Sequence, residues 1–284
     1  MIENLVLSGG SIKGVTYFGL LKSIQEHPDI YKNIKCFAGA SVGSLFSTFL
    51  ALDIKYEYLE KFINTDFSQF LQLDIEDLIE KYGLDNGKAY VKLMEEVLGE
   101  YKDITFLGVF EKTGKRLIIS ATCLNNYNIE YFDYISHPKL KVVDAIRASI
   151  SIPFLFTSVN MYGKTYIDGA ILEPMPITLF DKEKTLGIWI VDKNYNHGYM
   201  GDLDCFKGFV YNFFVCIKKR LDTLNNFEAK YNILKISLEN VSFLDFDMNI
   251  EKKNEIIEIG YNTMNDYLND YIEKLKKISL NLNL

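Results

Sequence analysis

The stretch "LVLSGGSIKG" (residues 5–14) runs from apolar residues into a loop with two adjacent glycines, a lysine and a third glycine. The overlapping segment "IENLVLS" (residues 2–8) predicts a short buried strand. The following segment "GVTYFGLLKSIQE" (residues 14–26) places apolar residues on one face at helical spacing. The loop therefore joins a strand to a helix and presents backbone N–H groups at the helix N-terminus, an arrangement that binds anions.

The next segments repeat this order. "IKCFAGAS" (residues 34–41) predicts a second strand, and "VGSLFSTFLALD" (residues 42–53) predicts a second helix. Strands that alternate with helices are typical of a parallel sheet with helical crossovers, so the sequence predicts the α/β class.

The rest of the chain extends this pattern without an internal repeat or a linker. Residues 55–98 have helix-like patterning and no good strand, which predicts a helical insertion and a candidate lid. Further strands are predicted at residues 115–124, 128–134, 162–170, 185–192 and 231–238, and helices at 141–153, 206–224 and 250–277. The simplest account is one domain over residues 1–284, with a core at about 1–190 and C-terminal helices and a strand in 200–284.

Composition excludes several classes of protein. The chain has 284 residues, 48% hydrophobic and 24% charged, which is ordinary for a packed globular protein. Its net charge of −7, with no basic arm, argues against nucleic acid as a partner. Neither a signal peptide nor an 18-residue apolar span is evident, so a cytoplasmic protein is expected. The four cysteines have no paired metal spacing, and we expect no metal or other cofactor.

The segment "GASVG" (residues 39–43) matches the pattern G-x-S-x-G. The pattern alone is weak, because chance gives it in about one chain of this length in ten. Its position between a predicted strand and a predicted helix is that of a nucleophile elbow, which would expose the Ser41 hydroxyl. The alternative is that Gly39 and Gly43 only shape a tight turn.

A serine nucleophile needs a base. Each of the three histidines, His27, His137 and His197, lies in a loop or at a helix end, and His197 is the candidate for a triad. The candidate carboxylate is Asp168 in "YIDGA", where Gly169 permits a sharp turn after a strand. An Asp-Gly pair is also common in simple turns.

The glycine loop matches neither common nucleotide-binding pattern. G-x-x-x-x-G-K-[ST] is absent, and the adjacent Gly9 and Gly10 do not fit G-x-G-x-x-G. Consecutive N–H groups at a helix N-terminus would instead suit a tetrahedral oxyanion. Loops at the carboxyl ends of parallel strands share one crevice, so this loop, Ser41 and Asp168 are expected to converge.

The motifs "GGSIKG", "GASVG" and "DGA", in this order, resemble those of the patatin-like phospholipases. The segments at residues 113–126 and 145–156 are also similar to that family, and the resemblance covers about residues 1–190. It implies a three-layer α/β/α sandwich with a mainly parallel central sheet. It also implies a catalytic dyad of Ser41 and Asp168 that needs no histidine.

The resemblance further assigns an oxyanion loop to residues 9–14, with the backbone of Gly9, Gly10 and Ser11 as the oxyanion hole. Lys13 and Gly14 would support this loop, and Lys13 could instead attract a lipid phosphate or simply be solvated. Ser11 stands where the family usually has a third glycine. A positive φ there would cost a serine more than a glycine.

The implied function is that of a lipid acyl hydrolase of the phospholipase A or lysophospholipase type, acting on phospholipid or another acyl lipid at a membrane or micelle surface. The apolar segment at residues 206–220 fits either an interfacial helix or a buried core helix with a basic end. Two other functions stay open: an esterase with a Ser41–Asp168–His197 triad, and a catalytically silent lipid-binding protein on the same fold.

Overall fold

A computed structural model of the chain describes residues 1–70, 74–193, 205–225 and 229–282. The strands in this part are β1 (Asn4–Leu7), β2 (Cys36–Ala40), β3 (Gly83–Asp85), β4 (Arg116–Cys123), β5 (Asn128–Phe132), β6 (Phe154–Phe156), β7 (Val159–Met161), β8 (Lys164–Asp168), β9 (Thr185–Asp192) and β10 (Asn232–Leu238). The helices are α1 (Tyr17–Gln25), α2 (Pro28–Asn33), α3 (Val42–Ala51), α4 (Glu60–Ile63), α5 (Ile75–Lys81), α6 (Lys88–Leu98), α7 (Phe106–Thr113), α8 (Val142–Ser149), α9 (Phe206–Asn225) and α10 (Ile250–Leu282).

The central sheet has the strand order β10-β9-β1-β2-β4-β8-β7, and β5 pairs with β4 outside this path. The strands β10, β9, β1, β2 and β4 run parallel to one another, whereas β5 and β8 pair antiparallel with β4, and β7 pairs antiparallel with β8. The predicted α/β class, with a mainly parallel sheet and flanking helices, is confirmed.

The sheet register brings the three predicted loops together. β1 and β2 end level with each other, so the loops that follow them start at the same edge. Ala40, the last residue of β2, pairs with Ser120, and the next residue of β4, Ala121, pairs with Asp168. The three loops lie together as predicted, but Asp168 reaches this edge of the sheet for a different reason. β8 is antiparallel, and it reaches this edge because it pairs only with the last three residues of β4.

The sheet is buried on both faces. Along β1, Leu5 and Leu7 belong to a large apolar cluster that includes residues of α1, α3, α8 and α10, whereas Val6 belongs to a smaller cluster with Met175 and Trp189. Successive strand residues point to opposite faces. Burial on both faces explains why the strand reads as an uninterrupted apolar run rather than an alternating one.

The C-terminal helix is held tightly against the N-terminal segment. A Cβ on Gly19 of α1 would lie 1.9 Å from the carbonyl oxygen of Ile257, and one on Gly260 would lie 2.1 Å from that of Thr16. In addition, the Thr16 hydroxyl donates to the carbonyl oxygen of Ile256 at 2.8 Å. Glycines on both sides therefore allow α10 to approach the start of the chain at backbone distance.

The insertion contains one strand, although the sequence pattern predicted none there. β3 lies between α5 and α6, and its Gly83 pairs with Phe154 of β6 in a separate two-stranded sheet. The expectation of no strand in residues 55–98 was therefore wrong, because three residues are too few to show a period of two. The helix predicted from residue 14 also begins differently, as a 3-10 turn over Ser11–Thr16 that continues into α1.

Candidate active site

The turn between β2 and α3 has the geometry of a nucleophile elbow. Ser41 has φ 52° and ψ −130°, a conformation with positive φ that is uncommon for a residue with a side chain. A Cβ on Gly39 would lie 2.3 Å from the carbonyl group of Gly43, and a Cβ on Gly43 would lie 2.4 Å from the carbonyl oxygen of Leu7. Both glycines are therefore needed for α3 to pack against β1 and β2.

The Ser41 hydroxyl contacts a carboxylate directly. Its Oγ donates to Oδ2 of Asp168 at 2.6 Å, and both side chains are buried. The second carboxylate oxygen, Oδ1, accepts from the backbone N–H of Ala170 at 2.7 Å, which fixes the orientation of the carboxylate. This is the hydrogen-bonded contact that a nucleophile and its base require.

Burial changes the acid–base chemistry of Asp168. Loss of solvent around the carboxylate raises its pKa to about 7, although the hydrogen bonds from Ser41 and from the Ala170 N–H act in the opposite direction. An ordinary aspartate, with a pKa of about 3.9, is a weak base at neutral pH. The buried carboxylate is better matched to proton transfer near pH 7.

The glycine loop offers fewer donors than the sequence suggests. The N–H of Gly9 donates to the carbonyl oxygen of Pro174 at 2.9 Å, so it is not available to an oxyanion in this conformation. The N–H groups of Gly10 and Ser11 have no acceptor among the described residues, and both residues line the cavity that contains Ser41. Gly9 is thus a packing residue, since a Cβ there would lie 3.2 Å from that of Ser41.

The other two predicted loop residues lie against the elbow. Lys13 is nearly buried and lines the same cavity as Ser41 and Asp168. A Cβ on Gly14 would lie 2.2 Å from a methyl carbon of Val42, the residue that follows the nucleophile candidate. The loop and the elbow therefore pack on each other directly.

Three residues that form hydrogen bonds with Ser41 or Asp168 could not be predicted from the spacing of residues in the sequence. Ser149 Oγ accepts from the Ser41 N–H at 2.8 Å, and the carbonyl oxygen of Ser151 accepts from the Asp168 N–H at 2.9 Å. Thr122 Oγ1 donates to the Asp168 carbonyl oxygen at 2.9 Å. Only the family resemblance of residues 145–156 pointed to the stretch with the two serines, and it gave them no role.

The described histidines do not take part in the site. His27 Nδ1 lies 2.8 Å from the carbonyl oxygen of Ser23, and the ring of His137 packs near Phe132. His197 lies outside the described residues. The direct contact between Ser41 and Asp168 leaves no space for an imidazole between them, as a triad would need.

Two cavities meet at the Ser41 hydroxyl, and Ser11, Ser41 and Ile152 line both of them. The first cavity is apolar and extends under the insertion, with walls that include Phe46, Phe62, Phe67, Tyr90, Met94 and Phe156. The second lies between the glycine loop and α9, with walls that include Lys13, Asp168, Trp189, Tyr211, Phe214 and Lys218.

Two features of the described part of the chain bear on other classes of protein. No three of its His, Cys, Asp and Glu side chains are grouped so that they could hold a metal ion. No helix within these residues is long and apolar enough to cross a membrane.

The site lies within the part of the chain that matches a known family. Residues 5–181 match the sequence profile of the patatin-like phospholipases, and this range includes the glycine loop, the elbow and Asp168. The chain belongs to the patatin-like phospholipase family. Nearly the whole chain is similar to uncharacterized protein R571 of Acanthamoeba polyphaga mimivirus, with 30% identity over 91% of each protein.

Two further relatives extend this assignment. The protein named "Probable lipid hydrolase 463L" of Invertebrate iridescent virus 6 is 29% identical over 66% of this phospholipase-family chain and 68% of its own length. The crystal structure of VipD from Legionella pneumophila superposes with a TM-score of 0.68 over 95% of this chain and 67% of that protein. At 17% identity, this second likeness shows the patatin-like fold alone.

Proposed function

We propose that this patatin-like protein hydrolyses ester bonds of acyl lipids, with Ser41 as nucleophile and Asp168 as general base. The observation that carries the proposal is the 2.6 Å hydrogen bond from the Ser41 hydroxyl to the buried Asp168 carboxylate. Family membership supports a lipid ester as the substrate, and the lipid hydrolase among the viral relatives points the same way.

In the first half of the reaction, Ser41 Oγ attacks the carbonyl carbon of the ester and its proton passes to Oδ2 of Asp168. The tetrahedral intermediate carries its negative charge on the former carbonyl oxygen. When it collapses, the C–O bond to the alcohol breaks, and the departing oxygen takes the proton from Asp168. The acyl group is then held on Ser41 as an ester.

In the second half, water attacks the acyl-enzyme. Asp168 accepts a proton from this water, and collapse of the second tetrahedral intermediate returns that proton to Ser41 Oγ. The products are a fatty acid and an alcohol, which is a lysolipid when the substrate is a diacyl phospholipid. Both halves use the same base, so the raised pKa of Asp168 serves both.

The N–H groups of Gly10 and Ser11 are the proposed oxyanion donors. Both residues line the cavity of Ser41, and neither N–H has an acceptor among the described residues. The dipole at the N-terminus of α3, immediately after Ser41, adds a favourable field for the same negative charge. Donors that are fixed before the reaction stabilise charge without reorganisation.

The two cavities suggest how a lipid is placed. The apolar cavity under the insertion has the walls that an acyl chain needs, and the cavity beside α9 carries Lys13 and Lys218 near the position of the leaving alcohol. A phosphate-bearing alcohol would be attracted by these two side chains. The substrate proposed first is therefore a phospholipid or lysophospholipid, presented at a membrane or micelle surface.

Ser41→Ala tests this function. We expect hydrolysis of a soluble p-nitrophenyl ester to fall by roughly 10⁴-fold or more, together with loss of labelling by a fluorophosphonate. Ser47→Ala is the matched control, because Ser47 is a buried serine of α3, close to Ser41 in sequence, whose hydroxyl donates to the Ala38 carbonyl oxygen. It should keep both activities.

Three outcomes separate the alternatives. Activity retained by a folded Ser41→Ala variant would refute the dyad. Loss of activity in His197→Ala would favour the triad instead. A wild-type protein that binds lipid but neither hydrolyses the ester nor reacts at Ser41 would be the silent lipid-binding protein.

A further inference from the structure

The helix α9 exposes a row of aromatic rings. The side chains of Phe206, Phe209 and Phe213 are 48%, 54% and 41% exposed. Their spacing of three and four residues places them on one face of the helix. Exposed apolar residues that stand singly are common, but a row of phenylalanines on one helix face is not.

The opposite face of the same helix lines the candidate active site. Tyr211, Phe214 and Lys218 belong to the walls of the cavity that contains Ser41 and Asp168. The segment is therefore neither a fully buried core helix nor a fully exposed one. One face of α9 closes the site, and the other faces solvent.

A second exposed apolar face lies on the insertion. Ile75, Ile79 and Tyr82 follow one another along α5 and its C-terminal end, and they are 70%, 72% and 72% exposed. The insertion also supplies Phe62 and Tyr90 to the wall of the apolar cavity. Each of the two cavities thus has a wall element with an exposed apolar face.

Phe154 connects the two faces. Its backbone N–H donates to the carbonyl oxygen of Tyr82 at 3.3 Å, and its ring centroid lies 5.9 Å from that of Phe213. Tyr82 and Phe154 have φ values of 62° and 69°, a left-handed conformation that costs an aromatic residue energy. Phe154 therefore contacts one residue of each face, Tyr82 on the insertion and Phe213 on α9.

We propose that these two faces form one docking surface for a phospholipid bilayer. We call it the apolar rim and define it as Ile75, Ile79, Tyr82, Phe206, Phe209 and Phe213. An acyl chain leaves a bilayer only at an energetic cost, and a rim sunk into the headgroup region would let the chain pass directly into the cavities. This inference rests on the proposed lipid hydrolysis, since lipid is what makes a bilayer the partner.

The charge at the end of α9 fits the α9 part of this surface, whereas α5 carries the exposed acidic residues Glu76 and Glu80 beside its two isoleucines. Lys219 and Arg220 follow the aromatic row and are exposed, although the protein as a whole has a net charge of −7. Cations next to inserted aromatic rings are typical of helices that lie on anionic lipid surfaces. We therefore expect phosphatidylglycerol in a phosphatidylcholine vesicle to strengthen binding, and Lys219→Gln with Arg220→Gln to remove this gain.

Vesicle sedimentation with the full chain tests the rim. A variant with Phe206→Ser, Phe209→Ser and Phe213→Ser should bind at least about 100-fold more weakly, because each half-buried ring contributes roughly tenfold. The matched control is Ile278→Ser with Leu280→Ser, two side chains of α10 that are 55% and 66% exposed. The control should bind like the wild type, and equal binding by the rim variant would overturn the proposal.

Hydrolysis of a short soluble ester separates this proposal from the proposed function. The rim residues do not line either cavity, so the rim variant should keep its kcat/KM for this ester within about twofold. A wild type that binds vesicles through the rim but hydrolyses no ester would contradict the proposed function only. A wild type that hydrolyses the ester while the rim variant binds vesicles normally would contradict the rim only.

Phe209→Trp gives a measurement that does not remove an apolar side chain. The chain has one tryptophan, Trp189, which lines the cavity beside α9, so the wild type measured in parallel gives the signal to subtract. We expect a blue shift on addition of vesicles and quenching by brominated lipid. No shift would overturn the proposal. The rim would instead bind a second copy of the chain if the blue shift occurs without vesicles and grows with protein concentration, and if light scattering gives a doubled mass. That result would also overturn the proposal.

Discussion

The floor and the cover of the site are built in different ways. The floor consists of the loop at residues 9–14, the elbow at 39–43 and the corner at 168–170, where backbone packs on backbone. A Cβ on Gly169, for example, would lie 2.4 Å from the carbonyl oxygen of Ser120. The cover consists of the insertion and α9, and it contributes mainly apolar side chains such as those of Phe62 and Phe214.

This difference separates chemistry from selectivity. Catalytic groups lose their effect when they move by about 1 Å, so the floor must be rigid. An apolar wall only has to exclude water and match a chain in shape, which many side chains can do. Changes to the floor should therefore abolish the reaction, whereas changes to the cover should alter which lipid is used.

After Ser41→Ala, the largest effect is expected from Asp168→Asn. An amide cannot accept the Ser41 proton, so kcat/KM for a soluble ester should fall by roughly 10³-fold or more. In the wild type, kcat/KM should rise with pH and level off above an inflection near the raised pKa of about 7, because the base must be ionised. A profile with an inflection near pH 4, or an active Asp168→Asn variant, would contradict the role of this residue.

The same substitution should stabilise the protein, and the sign follows from the raised pKa of the carboxyl group. Between a pKa of about 3.9 in the unfolded chain and about 7 in the folded protein, the folded state binds more protons. The free energy of unfolding of the wild type therefore falls as pH rises through this window. In urea unfolding, the free energy of unfolding of Asp168→Asn should rise relative to that of the wild type between pH 5 and pH 8. If the difference between the two proteins stays constant over this range, the pKa of Asp168 is not raised.

A somewhat smaller effect is expected from Gly43→Ala. The new Cβ would lie 2.4 Å from the carbonyl oxygen of Leu7, so α3 must move away from β1. We expect the free energy of unfolding to fall by about 2–3 kcal/mol and kcat/KM to fall by roughly 100-fold. Gly108→Ala is the control, because the nearest atoms to its new Cβ belong to side chains, Ile104 Cγ1 at 3.1 Å and Thr105 Oγ1 at 3.5 Å, and not to the backbone. Equal effects of the two variants would show that the elbow has no special packing.

The floor could be predicted from the sequence because glycine has few substitutes where backbones touch. Gly39, Gly43 and Gly169 marked the elbow and the corner, and the order of strands brought them to one edge of the sheet. The strands around them are continuous apolar runs, which periodicity detects well. The hydrogen bond of Gly9 could not be predicted, because the carbonyl oxygen that accepts its N–H belongs to Pro174, a contact that no local pattern encodes.

The cover could be predicted only as helices. Phe213 and Phe214 are adjacent and chemically identical, yet the first is exposed and the second lines the cavity. Which face of α9 turns inward depends on tertiary contacts such as the stacking of Tyr211 on Phe243, with ring centroids 5.2 Å apart. The strand β3 was missed because its three residues show no period, and its partner β6 lies far away in the chain.

A change in the cover should alter selectivity with little loss of chemistry. Met94 is buried in α6 and lines the apolar cavity, so Met94→Trp would shorten the space for an acyl chain. We expect roughly tenfold less activity on a p-nitrophenyl ester with a long acyl chain, and a nearly unchanged rate with the butyrate ester. An equal loss on both esters would mean that the acyl chain lies elsewhere. Met248→Trp, outside both cavities, is the control.

The smallest effect concerns Ser11, the floor residue where the family usually has glycine. Its φ of 50° is the left-handed conformation expected if the loop keeps its shape despite the serine. Ser11→Gly should relieve this strain and stabilise the protein by about 0.5 kcal/mol, because the greater freedom of glycine in the unfolded chain offsets part of the gain. The N–H stays in place, so kcat/KM should change by less than about threefold.

Ser11→Val is the opposite test, since a β-branched residue at this φ should lower both stability and activity. Urea unfolding and ester hydrolysis measure both variants, and a destabilised Ser11→Gly would mean that the hydroxyl, rather than the backbone alone, supports the loop.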